Sequence, residues 1–393
     1  MNILLWAPFG AGEHYWGPGT SAYRMYRHGL PAGVTVTLAH GFPMQSPYPE
    51  TFAAQHLVAD LGSASYWNQV RFLRKARLWI RDNYSRFDVV HALGLQELTF
   101  RPAIWFESLG VPVVLKITGA NNLVSHSRFS RYLGIVRNRD RKMHALSGFI
   151  AISSDIYSGL LAKGVPESKI FSIPNGVDVN RFAPVSRQER SAARQQLGLR
   201  DVFTVLFVGG ISRRKNPHLV VQAIARTVHQ SGRRVQLLIV GPDRSRDGYG
   251  RELVHLIRQE GLEDECLLMG ETATPERYYR AADVFVLPSA SEGMSNALLE
   301  ALASGLPSIV TPISGSRELV EHGSNGFHVS PDSNEIAECI EWYLDNPDQH
   351  ALHARRARDV ILEGYSTEAV LSEHLSLFRT LCMRRGIAGS RPM

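Results

Sequence analysis

Residues 284–311 run VFVLPSASEGMSNALLEALASGLPSIVT. An apolar run, Val284–Leu287, gives way to a loop of small residues. A helical pattern then starts near Ser295 or Asn296, and a second short apolar run follows at Ser308–Val310. Strand, loop, helix and strand in this order form the repeating unit of a parallel sheet with crossover helices. Within the helix Leu298, Leu299, Leu302 and Ala303 suit a face packed on the sheet. Asn296, Glu300 and Ser304, at i, i+4 and i+8, make a polar stripe.

The same alternation extends in both directions. Toward the N-terminus of this second half, strands are predicted at Phe203–Val208, Val235–Val240 and Cys266–Met269, and beyond it at Phe327–Val329. The first half repeats the scheme at Ile3–Trp6, Val34–Ala39, Phe87–His91, Pro112–Ile117, Gly148–Ile152 and Ile170–Ser172. Each half therefore reads as a doubly wound α/β domain, as 393 residues at about 100–200 per domain would suggest. The turn Ile173-Pro174-Asn175-Gly176 separates them, and the division is expected at 1–184 and 185–393. Val370, Leu371, Leu375, Phe378 and Leu381 predict a terminal amphipathic helix that closes the second domain or packs against its neighbour.

Composition narrows the class. A hydrophobic content of 44% with 20% charged residues suits a folded globular chain and excludes collagen-like, disordered and coiled-coil proteins. No apolar run reaches the ~20 residues of a membrane span. The opening MNILLWAPFGAG lacks the basic and apolar regions of a signal peptide. Cys266, Cys339 and Cys382 are too scattered for a disulfide framework or a Cys-x-x-Cys metal site, so the cytoplasm is expected.

Three stretches carry chemistry. In the first, the exposed N–H groups at the start of the helix after Pro288–Ser295 favour phosphate, and Gly293 lets the backbone approach a ligand. Glu292 and Glu300 suit contacts to a sugar and a ribose, though two surface glutamates beside a helix cap have the same pattern. In the second, Val205–Ile224, a strand runs into Gly209-Gly210. Lys215 precedes a helix capped by Asn216 with Pro217 at its first position, where an ammonium can reach a diphosphate or simply face solvent. The third, Gly17-Pro18-Gly19, expected in the loop after the first strand, lets the first helix bring its N–H groups to an anionic group. Gly10-Ala11-Gly12 opens like a dinucleotide fingerprint, but Tyr15 holds the third glycine position, so no nicotinamide cofactor is expected.

Taken together these pieces resemble the retaining GT-B glycosyltransferases of family four, the glycosyl transferases group 1. The match rests on the element from Glu292 to Glu300, the downstream GLPSIVTPISGSRELVEHGSNGFHV, the hinge IPNGVDVNRF, FVGGISRRKN around Lys215, RAADVFVLPS and FDVVHA. The resemblance implies an α/β GT-B fold, two Rossmann-like doubly wound parallel-sheet domains facing a central cleft. It further implies a nucleotide-sugar donor, most often a UDP-sugar, on the second domain and an acceptor on the first, with no metal and no other cofactor. By the same resemblance Lys215 with an arginine neutralises the leaving diphosphate and Glu300 holds the ribose. Glu292 faces the donor sugar, and Gly293, Met294, Ser295 and Asn296 lie against sugar and phosphate. Gly209, Gly210, Met269 and Gly270 complete the donor site, while Gly17 and Gly19 belong to the first domain. Two positions depart from the family. Gly210 stands where arginine is common, leaving Arg213 or Arg214 as substitutes. Where many members have a histidine after the fourth strand, this chain has Thr118, followed by Asn121 and Asn122, with His126 farther on.

Charge adds one further expectation. Residues 1–180 hold 18 Lys+Arg against 11 Asp+Glu, and the remainder holds 25 against 26. The excess gathers at Arg71, Arg74, Lys75, Arg77 and Arg81, and again over Arg128–Lys142. A saccharide or lipid-linked saccharide acceptor on an anionic inner-membrane face suits this pattern, and so does the solvated face of a packed helix. Nucleic acid is not expected, since no basic groove interleaved with aromatics is evident. The alternatives to transfer are a nucleotide-sugar-binding protein without activity, a phosphorylase and a sugar-nucleotide epimerase. The sequence leaves the oligomeric state open.

Overall fold

The computed structural model describes residues 1–13, 17–43, 48–62, 65–119, 140–243, 245 and 247–386. The chain divides into two compact units, Met1–Gly176 together with the C-terminal helix, and Val177–Ser366.

The first unit contains β1 (Asn2–Trp6), α1 (Gly17–Arg27), β2 (Thr35–His40), β3 (Ala54–Leu57), α2 (Tyr66–Asn83) and β4 (Val89–Leu93). It continues through α3 (Glu97–Ser108), β5 (Val113–Ile117), β6 (Gly148–Ala151), α4 (Ser154–Ala162) and β7 (Ile170–Ser172). Its sheet has the order β3-β2-β1-β4-β5-β6-β7, with parallel pairings throughout. Every residue of β4, β5 and β6 is buried, as expected of strands covered by helices on both faces.

The second unit begins with α5 (Arg187–Gln196), β8 (Phe203–Val208), α6 (Pro217–His229), β9 (Val235–Val240) and α7 (Tyr249–Gln259). It continues with β10 (Cys266–Gly270), α8 (Glu276–Ala281), β11 (Val284–Leu287), α9 (Asn296–Ala303) and β12 (Ser308–Val310). The last elements are α10 (Ser314–Leu319), β13 (Gly326–His328), α11 (Ser333–Asp345) and α12 (Pro347–Gly364). Its parallel sheet is ordered β10-β9-β8-β11-β12-β13. Strand order reverses between β1 and β4 in the first unit and between β8 and β11 in the second. At such a point neighbouring crossovers leave in opposite directions, opening a crevice at the carboxyl ends of the strands.

Two features differ from expectation. β3 was not foreseen, because it is an edge strand whose residues are half-buried or exposed and so carries no apolar run. The terminal helix, α13 (Thr367–Arg384), belongs to the first unit rather than to a second domain spanning 185–393, and the division falls at 176/177 instead of 184/185. Its buried face, which includes Val370, Leu371, His374, Leu375, Phe378 and Leu381, packs on α1 and β4. The Phe378 ring lies 5.5 Å from that of His91 on β4, and Cys382 Sγ donates to the Asp88 carbonyl at 3.4 Å. Periodicity reveals the apolar face of such a helix but not which sheet receives it. All three cysteines are free.

Candidate functional site

The loops leaving β8 and β11 meet at the strand reversal of the second unit. After Gly209-Gly210 a single 3-10 turn, Arg213–Lys215, leads to Asn216, which has left-handed backbone angles (φ 51°, ψ 41°). Asn216 occupies the N-cap position of α6 with Pro217 behind it, yet its side chain makes no capping bond. Its Nδ2 instead donates to the Pro288 carbonyl at 2.9 Å, and the Ala290 N–H donates to the Arg214 carbonyl at 2.8 Å. The Arg214 guanidinium also donates to the Ser291 carbonyl, so three hydrogen bonds stitch the lysine loop to the glutamate loop, which β8–β11 pairing brings side by side.

Three charges converge in this stitch. Arg214 Nη1 lies 2.8 Å and Lys215 Nζ 3.3 Å from the same Glu292 oxygen, Oε1, to which Ser289 Oγ also donates at 3.2 Å. Burial alone would push the Glu292 carboxyl up. The Lys215 ammonium and then the Arg214 guanidinium outweigh it and hold the carboxyl below its ordinary value. Lys215 is the more enclosed cation, with 13% of its side chain exposed against 48% for Arg214. It lies across Gly209, where a Cβ would come within 2.7 Å of Nζ. Any side chain at 209 would displace the ammonium. Gly210 is different: an added Cβ meets nothing closer than the Pro242 carbonyl at 3.7 Å, so the backbone leaves room there for a side chain.

The two arginines that sequence left equivalent have separate partners. Arg213 turns away from Glu292, with Nε 2.9 Å from Asp247 Oδ2 and Nη2 2.6 Å from Glu252 Oε1. Its guanidinium sits 5.0 Å over the Tyr249 ring. Only Arg214 joins Lys215.

Glu300 is buried on the inner side of α9, 2.9 Å from the hydroxyl of Tyr279 on α8. Ser295 caps α9, its Oγ accepting the Leu298 N–H at 3.4 Å. Gly293, Met294 and Ser295 are buried and Asn296 is half-buried, and the Gly293 carbonyl accepts the Gly315 N–H at 2.9 Å. Met269 and Gly270 end β10 at the sheet edge, with β9 between them and β8. Gly270 is exposed, and its carbonyl accepts the Gly241 N–H at 2.8 Å. In the first unit Gly17 and Gly19 form the first turn of α1 rather than a loop, and Thr118 is half-buried just past β5. Asn121, Asn122 and His126 lie outside the described residues, as do the basic residues from Arg128 to Arg139.

Sequence reasoning passed over Ser289, Thr311 and Tyr279. Thr311 Oγ1 donates to the Ser289 carbonyl at 2.6 Å, fixing the loop from which Ser289 reaches Glu292. The small polar residues at both strand ends were the visible signal. Tyr279 precedes Glu300 by a whole strand and gave none.

Known proteins resemble this chain in both halves. The family described as Glycosyl transferases group 1 matches residues 202–346, and Glycosyltransferase Family 4 matches 16–181. A D-inositol 3-phosphate glycosyltransferase of Kineococcus radiotolerans is 31% identical over 233 residues, 55% of this chain and 53% of the relative. The UDP-Gal:alpha-D-GlcNAc-diphosphoundecaprenol alpha-1,3-galactosyltransferase of Escherichia coli is 30% identical over 210 residues, 51% of this chain and 52% of the relative. The matched region thus spans about half the length of these curated relatives. Among solved structures, Anabaena Alr3699/HepE in complex with UDP and glucose superposes with a TM-score of 0.78 at 20% identity, covering 97% of this chain and 100% of that one. With group 1 and family 4 sequence patterns on its two halves and two Rossmann-like units that follow the fold of solved GT-B proteins, the chain belongs to the GT-B glycosyltransferases.

Proposed function

We propose that the protein is a retaining, metal-independent glycosyltransferase that moves a sugar from a UDP-sugar to a hydroxyl of a saccharide or lipid-linked saccharide. The observation that carries this reading is the convergence of Lys215 and Arg214 on Glu292 at the β8–β11 reversal. Without donor, Glu292 serves as counter-ion and keeps both cations extended toward the crevice. An arriving diphosphate offers more negative charge than one carboxylate, so the cations transfer to it and Glu292 is released toward the donor sugar. As the bond from the anomeric carbon to the diphosphate oxygen breaks, charge accumulates on the leaving group, where two preorganised cations stabilise it most. The acceptor hydroxyl attacks from the same face, with no enzymic nucleophile, and its proton passes to the departing diphosphate oxygen. Glu300, positioned by Tyr279, holds the ribose, and the buried Gly293–Ser295 backbone lies against sugar and phosphate. UDP in the complexes of Alr3699/HepE and the UDP-galactose donor in the name of the Escherichia coli relative favour uridine. The lipid diphosphate acceptor in that name favours a lipid-linked saccharide.

A UDP-sugar panel with thermal-shift readout tests the donor. UDP at a hundred times its Kd is expected to stabilise the fold by about 2.7 kcal/mol, and GDP and ADP by less. Turnover with the selected donor is expected to continue in excess EDTA and to give a product with the donor's anomeric configuration. Recovery only on adding Mn²⁺ or Mg²⁺ would remove the metal-free reading. Binding without product would leave a nucleotide-sugar-binding protein.

A further inference from the structure

The outer face of α2 has a composition that the sugar-transfer chemistry does not use. Ser65 caps the helix, its Oγ accepting the Asn68 N–H at 3.3 Å, and Phe72, Ala76 and Ile80 anchor its inner face in the core. On the outer face Arg71, Arg74, Lys75, Arg77 and Arg81 are exposed, and so are three large apolar residues: Tyr66 at 72%, Trp67 at 76% and Leu78 at 54%. Positions 67, 71, 74, 78 and 81 follow one another at helical spacing, so Trp67 and Leu78 share a stripe with three arginines. The Tyr66 and Trp67 rings pack edge to face at 5.4 Å, forming a projecting aromatic pair at the start of the helix. Arg81 pairs with Asp82, the one acidic residue of α2. Among the described residues Arg71, Arg74, Lys75 and Arg77 form no ion pair.

A solvated helix face has reason to carry the cations but none to expose a tryptophan and a tyrosine together. A nucleic-acid groove would interleave its aromatics with the cations rather than set them at one end of a convex helix. Basic residues on one face with Trp and Tyr at its border match an anionic bilayer, where the rings enter the headgroup layer and the cations meet lipid phosphates. We propose that the outer face of α2 docks on an anionic membrane surface, with Trp67 and Tyr66 inserted and Arg71, Arg74, Lys75 and Arg77 on the lipid headgroups. This deepens the lipid-linked reading of the acceptor, since it brings the first unit to the surface from which such an acceptor projects. No described helix is long and apolar enough to cross a membrane, so attachment through this face is peripheral.

The full chain is tested by flotation with phosphatidylcholine vesicles containing 30% phosphatidylglycerol, and with phosphatidylcholine alone. Binding to the anionic vesicles only is expected, weakening as salt rises above about 0.1 M and screening shortens to within about 10 Å. Replacing Arg71, Arg74, Lys75 and Arg77 together by Gln is expected to weaken partition at least tenfold, each cation near the surface being worth roughly a fivefold factor. Trp67→Ser is expected to weaken it severalfold at unchanged charge. In the wild type, but not in Trp67→Phe, anionic vesicles are expected to shift tryptophan emission to the blue. No binding at low salt overturns the proposal, as does binding that survives both variants. Equal binding to single-stranded nucleic acid at matched salt overturns the choice of partner. UDP thermal shifts, unchanged in every variant, confirm folding and keep the outcome separate from the donor-site proposal.

Discussion

At the carboxyl ends of β8 and β11 the second unit gathers oppositely charged side chains, Lys215 and Arg214, on one oxygen of Glu292. Around β4, at the corresponding reversal of the first unit, burial works against the charged form of each enclosed group. Tyr26 on α1 lies 2.8 Å from His91 Nδ1, and the His91 ring lies 5.4 Å from that of His374 on α13. Desolvation pushes His91 well below its ordinary value and His374 down to about 3, while the ammonium of Lys116, on neighbouring β5, falls to about 8. One fold thus serves two purposes. Where the reversal is left open to loops, charges that attract a polyanion persist; where a C-terminal helix covers the strand, the same sheet geometry becomes core.

The largest expected effect breaks the charged side of this contrast. Lys215→Ala should lower turnover at least about 10²-fold with folding intact, as removal of a preorganised electrostatic partner does elsewhere. Normal turnover on a verified substrate would take Lys215 out of the diphosphate role. Next comes acid. His91 and His374 are neutral when folded, whereas the unfolded chain takes up protons near pH 6.5. Stability should therefore be fully present above that pH and fall as pH drops from 6.5 toward the folded values. The loss should be up to about 1.4 kcal/mol per pH unit for each histidine, read by urea unfolding at pH 7 and 5. His374→Leu should lose less over that interval, and an equal loss would mean that His374 is not neutral in the fold.

Smaller effects sharpen the comparison. Arg214→Gln should lower turnover about tenfold, but Arg213→Gln less than threefold, because Arg213 is turned to Asp247 and Glu252 in exposed pairs away from Glu292. The reverse order in steady-state kinetics would show that the arrangement around Arg213 rearranges with donor. Smallest is Tyr279→Phe, which removes one hydroxyl from Glu300 and should weaken UDP binding a few fold with little change in kcat on saturating donor. A fall in kcat at unchanged affinity would place Tyr279 with the reacting centre instead of the ribose.

Much of the second unit was legible in one dimension. Phe203–Val208, Val235–Val240, Val284–Leu287 and Ser308–Val310 have the bounds expected from their apolar runs, because a strand buried on both faces is mostly apolar along its length. Lys215 and Glu292 stood out because each lies in the loop that follows a strand end, and such loops must project at the carboxyl edge of the sheet; Glu300 stood out on the polar stripe of the helix that follows. The edge strand β3, half-exposed, left no comparable trace. What tertiary structure decided is pairing at a distance. Arg213 and Arg214 are adjacent and chemically alike, and only the fold, by bringing α7 beside one and the β11 loop beside the other, sends them to different carboxylates. The same holds for α13, whose apolar stripe suits either sheet until its contacts with α1 and β4 place it on the first. Local pattern states which residues need burial or a counter-charge; the partner that satisfies each need comes from chain segments remote in sequence, and only folding brings them together.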